Sequence, residues 1–536
     1  MVKRWICAIL VTALAGSIWY VARTTDDPLY SDNYEEPLDA PQAEGGESTA
    51  SEPSFVDDGS LTVWYTDEAL TEYLTSVALS FQQDQGIKVN AVLKDGVNFL
   101  ETINSNSLMQ EDRTEALPDL YITSHDNLLR AYLSGLACEI SDPADVVTEE
   151  MYPLTALNAV TVYDHYVAYP FYYETNFFLY NKTYMASIAQ TKIEADADFE
   201  EAAEATKELE ENGAPEVAEE IKTEDGEETT GEDDGQAAEE EILDENPMGE
   251  EDATADPAVL EQLATMIPQT IEDIKTFANN YDAPEAVESV FKWDVSDIFY
   301  NYFFVGNYMD VGGEHGDNAA VFNIYNSQAV ECLRAYQAMN QFFSIDTKVD
   351  NYDNILQDFI DGKMVFTVAT TDAIARIHAA KKNGDFDYEY GVSTLPDISS
   401  LLKARGLSVT DAVAINGYSE KKADANKFAT YLVNYKASDL YMKSGKVSCS
   451  KGVEYEDAQI ANVMAEYEKS VPLPKMVEAA NYWVQLEIAF TKVWNGADPD
   501  ETLRELSDTI GAQIEEITAN LPTQESFNAG AGNFVR

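Results

Sequence analysis

Residues 61–65, Leu-Thr-Val-Trp-Tyr, form a short apolar run that predicts a β-strand. Behind it Leu70, Leu74, Val77 and Phe81 recur at helical spacing and mark one face of a helix, which Gly86 ends. Residues 87–92 alternate and predict a second strand, a helical stretch covers about 98–109, and Pro118-Asp119-Leu120-Tyr121-Ile122 predicts a third strand. Strand, helix, strand, helix, strand implies a parallel sheet with crossover helices. Ligands of such sheets bind beyond the carboxyl ends of the strands. That rule points to Thr66, Asp67 and Glu68 after the first strand, and to Ser124, His125 and Asp126 after the third. Further strand signals lie at 166–170, 177–180, 364–368 and 413–415; the final third is helix-rich, and no internal repeat is present.

The ends of the chain break this pattern. Lys3 and Arg4 precede an apolar run from Trp5 to Ala22, the layout of an export signal. Ala13-Leu14-Ala15 offers a small-x-small cleavage site. The alternative, an uncleaved anchor, agrees with the run's length and with Trp19 and Tyr20 at its outer end. Residues 24–58 are polar and acidic, and read as a disordered tether. A second composition break follows Met185. Over 194–256 there are 28 Asp or Glu against two Lys, Lys207 and Lys222, and this like-charge density argues against a stable helix. The expectation for 190–262 is therefore an acidic disordered insertion.

The net charge of −65 argues against a nucleic-acid partner, because phosphate contacts require clustered Lys and Arg. Cys7, Cys138, Cys332 and Cys449 show no CxxC or Cys/His spacing, so no metal site is expected, and buried unpaired thiols are expected for the last three. His125, His165, His315 and His378 show no ligand spacing, and no nucleophile elbow or phosphate loop is present. No catalytic residue and no cofactor is expected.

Several segments, taken in order, carry a resemblance. They are LTVWYTDEALTEYLTSVALSFQQDQGIKV at 61–89, LPDLYITSHDNLLRAYLSGLACEI at 117–140 and YVAYPFYYETNFFLYNKTYM at 166–185. PQTIEDIKTFA at 268–278, FIDGKMVFTVATTDAI at 359–374 and NYWVQLEIAFTKVWNGADPDETLREL at 481–506 continue it. Together they resemble family 1 extracellular solute-binding proteins of ABC importers, in the style of maltose/maltodextrin-binding proteins. The resemblance implies an α/β, periplasmic-binding-protein-like fold with two α/β lobes of discontinuous chain and a hinge between them. It implies residues 1–23 as signal anchor or signal peptide and 24–58 as tether. Residues 59–170 with 411–455 form the first lobe, 171–410 with 456–520 the second, and 521–536 a tail. It further implies capture of a solute, an oligosaccharide, and its delivery to ABC transporter permease subunits by a monomer tethered at the outer face of the cell membrane, or secreted after cleavage.

Sugar recognition needs aromatic platforms for C–H faces and planar polar groups for hydroxyls, with carboxylates as strong acceptors. Trp483 matches the family's C-terminal stacking Trp. Glu174 matches its hinge-side ligand carboxylate, Asp126 its acid after the third strand, and Asp67 and Glu68 its loop after the first. Asp297 and Phe299 resemble an acidic–aromatic pair of the second lobe, with Tyr302, Tyr173 and Trp293 as reserve candidates. Thr123 and Asn127 stand where maltodextrin binders carry Trp and Arg, and Thr370-Thr371-Asp372 replaces their Gly-x-Trp. The resemblance thus carries solute capture further than it carries a maltodextrin ligand. A surface glycan-acting enzyme and a non-transport surface binding module are the alternatives.

Overall fold

The computed structural model describes residues 58–96, 98–108, 117–212, 253–479 and 481–520. The N-terminal apolar run, nearly all of the tether, the middle of the acidic interval and the C-terminal tail lie outside the described residues. Among the described residues, no helix is long and apolar enough to cross a membrane.

The first strands follow the expected pattern. β1 (Leu61–Tyr65) is wholly buried, and α1 (Thr71–Gln85) buries Tyr73, Leu74, Val77, Ala78 and Phe81. Gly86 closes α1 with φ 72°, a left-handed conformation open to glycine at no steric cost. β2 (Val89–Leu93), α2 (Phe99–Leu108) and β3 (Leu120–Ser124) follow. β1 pairs parallel with both β2 and β3, as the crossover pattern requires.

The next strand departs from the expectation. Residues 166–170 and 177–180 were to be separate strands; instead β4 runs unbroken over Tyr169–Asn181. The polar Glu174-Thr175-Asn176 suggests a break in the sequence, yet each of the three side chains makes a polar contact, although Asn176 Oδ1 is buried without a partner. Thr175 donates to the Leu407 carbonyl at 3.0 Å, Asn176 donates to the Phe299 carbonyl, and Glu174 meets a lysine described below. Buried polar groups satisfied in this way do not interrupt a strand.

Further strands of the main sheet include β5 (Ser289–Lys292), β6 (Met364–Thr370), β7 (Leu407–Ile415), β8 (Val447–Ser448) and β9 (Val471–Pro472). The mixed sheet runs β2-β1-β3-β7-β4-β6-β5, with β8 on β4 and β9 on β7. β7 enters antiparallel between β3 and β4. α3 (Asp372–Asn383) follows β6, α4 (Ala437–Ser444) leads into β8, and α5 (Tyr482–Trp494) and α6 (Pro499–Asn520) are the last described helices. Cys138, Cys332 and Cys449 are unpaired, the last two buried.

The described residues divide into two compact units, one comprising those up to Leu179, Gln269–Phe386 and those from Val392, the other those between Tyr180 and Pro268 with Asp387–Gly391. The second unit corrects part of the disorder expectation. Lys182–Asn212 is one helix and Pro257–Met266 another, so 190–212 and 257–262 are helical. The physical reason is anchorage at one end and propensity along the rest. Tyr184, Met185, Ala186 and Ala189 are buried, the Asn181 side chain accepts from the Tyr184 amide, and Ala, Glu and Lys are strong helix formers. The second helix starts on Asp256, whose carboxylate accepts from Ala258 and Val259, with Pro257 in the first turn.

Candidate functional site

Strand register brings together groups that lie far apart in sequence. In β7, Asp411 stands opposite Ser124 of β3 on one side and Tyr172 of β4 on the other, and Val409 stands opposite Glu174. β8 pairs Val447 with Tyr173 and Ser448 with Tyr172, so one further antiparallel step sets Lys446 against Glu174. Glu174 is the one residue of β4 that is not fully buried. Asp67 follows β1, and its carboxylate caps the short turn Glu68–Leu70 by accepting from the Ala69 amide at 3.0 Å.

The Lys446 ammonium closes the cluster. It lies 2.7 Å from Asp67 Oδ2, 3.3 Å from Glu174 Oε1 and 5.2 Å from the centre of the Tyr172 ring. Burial opposes its charge, but Glu174 and Asp67 hold it above the usual lysine range. Asp411 has less compensation: burial, with the charge of Glu174 added, pushes its carboxyl up to about 8 against the pull of Lys446. Asp126 is half-buried, accepts a hydrogen bond from Ser124, and is raised by burial against that bond and the charge of Arg130. Beside it, His125 is fully buried and driven down to about 3 by burial and the nearby charge of Lys475. Its Nδ1 accepts from the Thr410 amide at 3.0 Å, so Nε2 carries the proton and donates to the Leu473 carbonyl at 2.9 Å.

Lys446 thus joins Asp67 and Glu174, and the charge of Asp126 reaches Asp411. Glu68 is adjacent to Asp67 but exposed. Asp297 caps the short helix Ile298–Asn301 by accepting from the Phe299 amide at 2.9 Å. Phe299 is buried at 5% exposure and packs edge-on to Tyr300, so it is a core ring in this state. The reserve rings are also core: Tyr302 and Trp293 are buried, and Tyr173 stacks on Tyr467 with centroids 3.9 Å apart. Trp483 is half-buried at the start of α5, edge-on to Tyr302 at 5.3 Å.

Sequence reading missed Tyr172, Asp411 and Lys446. Asp411 did leave a signal, the one charged residue inside the strand Leu407–Ile415. Lys446 left none, since it is a lysine after a helix-ending Gly445. Asp372, noted only as a departure, forms a second group: it accepts from the Tyr352 hydroxyl at 2.8 Å, and Tyr352 stacks on Tyr300 at 4.8 Å. Among the described residues, no group of three or more His, Cys, Asp or Glu could hold a metal ion.

A family model described as "Bacterial extracellular solute-binding protein" matches residues 77–466. Solved structures similar to the chain include an extracellular solute-binding protein from Staphylococcus aureus in complex with maltose, at 18% identity and TM-score 0.59, covering 86% of this chain and 100% of that one. A cyclo/maltodextrin-binding protein complexed with maltotetraose matches at 17% identity and TM-score 0.60, covering 88% and 100%. The maltose-binding periplasmic protein MalE from Listeria monocytogenes, in complex with maltose, matches at 17% identity and TM-score 0.60, covering 87% and 100%. A comparison with the curated proteins finds no match. At these identities the structures establish the periplasmic-binding-protein-like α/β fold. The family match spans most of the chain, and the chain belongs to the bacterial extracellular solute-binding protein family.

Proposed function

We propose that the chain captures an oligosaccharide of the maltodextrin kind between two lobes and presents the closed form to the permease subunits of an ABC importer. The observation that carries this reading is the meeting of Asp67, which follows β1, and Glu174, in the middle of β4, at the Lys446 ammonium, with Asp126 near Asp411 beside them. Carboxylates so placed accept hydroxyl hydrogens, and Trp483 supplies a ring for a sugar face. The structural neighbours that carry maltose or maltotetraose support the ligand class. Asp297 acts from the second lobe, and Glu68 at the exposed rim. The chain works as a monomer at the outer face of the membrane, held by its N-terminal apolar run or released by cleavage after it. Ligand favours the closed state only through its greater affinity for that state.

Titrating the protein with glucose, maltose, maltotriose and maltotetraose, followed by intrinsic tryptophan fluorescence, tests the reading. Saturable binding of at least one oligomer is expected, with Trp483→Ala about tenfold weaker, the order of one aromatic stacking contact. No response to any sugar, with a response to amino acids or peptides, overturns the ligand class. Labelled glycan is expected to remain intact on prolonged incubation; its cleavage would favour the enzyme reading.

A further inference from the structure

We propose that Lys446 is a positioning residue of the ligand site, and that the site it organises takes uncharged polyhydroxylated ligands and rejects anionic ones. The inference rests on the binding role proposed above and adds a residue and a ligand charge class to it.

The backbone places Lys446 with little freedom. Gly445 ends α4 with φ 69°, and Val447 is already paired in β8, so Lys446 occupies the single step between a helix cap and a strand. Its side chain is only 17% exposed. One side of the ammonium faces Asp67 at 2.7 Å, another Glu174 at 3.3 Å, and the Tyr172 ring lies 5.2 Å away. A lysine has three N–H donors, and here they are directed at two carboxylates and an aromatic ring. Its charge is thus committed within the protein and unavailable to a ligand phosphate or carboxylate.

The surrounding charges point the same way. The loop after β1 contributes Asp67, the end of β3 Asp126, β4 Glu174 and Tyr172, and β7 Asp411. Arg130 reaches Asp126 only by long-range attraction; its side chain is about half exposed and directed at Asn127 and Glu101. Asp67, Glu174 and Asp411 therefore face the Lys446 ammonium, while Asp126 feels Arg130 and the buried Lys475. Neutral hydroxyls donate to these oxygens, whereas an anionic ligand adds a further negative charge to a partly desolvated site. Without Lys446, Asp67 and Glu174 would be left without their counter-charge and would repel each other.

Binding of maltotriose, glucose 1-phosphate and glucuronate is measured by fluorescence and calorimetry between pH 5.5 and 8.5, on wild type and on Lys446→Met, Lys446→Gln and Lys446→Arg. Wild type is expected to bind maltotriose, and both anions at least a hundredfold more weakly, at every pH. Lys446→Met and Lys446→Gln are expected to be at least tenfold weaker at pH 8.5, recovering part of the loss at pH 5.5, with Lys446→Arg within about threefold of wild type. Circular dichroism confirms folding of each variant. A neutral variant with wild-type affinity at every pH overturns the positioning role, and anions binding as tightly as maltotriose overturn the charge class. If wild type ignores every sugar, the binding role fails instead. Unfolding of the variants against pH then decides the positioning claim, which requires a larger loss of stability at pH 8.5 than at pH 5.5.

Discussion

Trp293→Ala should destabilise the protein by about 3–5 kcal/mol, the range for removing a large aromatic from a packed core. Trp293 follows β5 and is fully buried. It stacks on Phe291 with centroids 5.0 Å apart and 19° between planes, and meets Trp494 of α5 edge-on at 5.7 Å. Tyr336 and Phe304 complete its surroundings. Its indole N–H donates to Asn301 Oδ1 at 2.8 Å, and Asn301 in turn donates to the carbonyls of Asp294 and Asp297. Truncation removes the packing and also leaves a buried amide oxygen without its donor, a further cost. Trp293→Phe separates the two effects, since it retains much of the packing and loses only the indole bond; about 1–2 kcal/mol is expected for it. Urea unfolding at neutral pH measures both, and a loss below about 1 kcal/mol for Trp293→Ala contradicts the assignment of this ring to the core.

Asp411→Asn should stabilise the protein, and only where the wild-type carboxyl is strained. In the folded state the Asp411 carboxyl is raised to about 8 by burial and by the neighbouring Glu174. A raised acid means that between its ordinary range, near pH 4, and about pH 8, the folded state keeps a proton that the unfolded state has released. Wild-type stability from this group is therefore full below pH 4, falls as pH rises through the window, and is lowest above pH 8. Asparagine carries no charge at any of these values. The variant should match wild type near pH 4 and gain progressively to about 2–4 kcal/mol by pH 8.5, less than the full shift because Asp411 is half-buried and solvent screens its charge. Denaturation curves of both proteins at pH 4, 6 and 8.5 measure the difference. An equal offset at all three values, or a loss at pH 8.5, contradicts the electrostatic account.

The parts of the fold that were legible in the sequence were those set by local pattern. The helical spacing of Leu70, Leu74, Val77 and Phe81, the glycine at 86 and the apolar runs around them yielded β1, α1 and their parallel neighbours. At the candidate site, Asp67 and Asp126 were found because they follow strands whose ends could be located, and Glu174 because it sits in a recognisable motif. What escaped was set by register between distant strands. No local rule brings Asp411 between Ser124 and Tyr172, or sets Lys446 against Glu174. The same limitation split β4 in two, because the partners of Thr175 and Asn176 lie at Leu407 and Phe299. In the acidic interval, charge density outweighed helix propensity in the reading, while the buried Tyr184, Met185 and Ala189 decided the outcome in the structure.

The place of β7 has a consequence for synthesis. β3 finds its outer neighbour only when Leu407–Ile415 arrives, and the Asn416 side chain then bonds the carbonyl of Pro118, 298 positions earlier. Until the ribosome has released that segment, β3 and β4 each present an unpaired edge, the kind of surface that joins strands of other chains. Such distant pairing makes a slow folder. A nascent chain of this design stays uncommitted until most of it has been made. A product stopped before Leu407 lacks the strand that joins the two halves of its sheet and is left prone to aggregation.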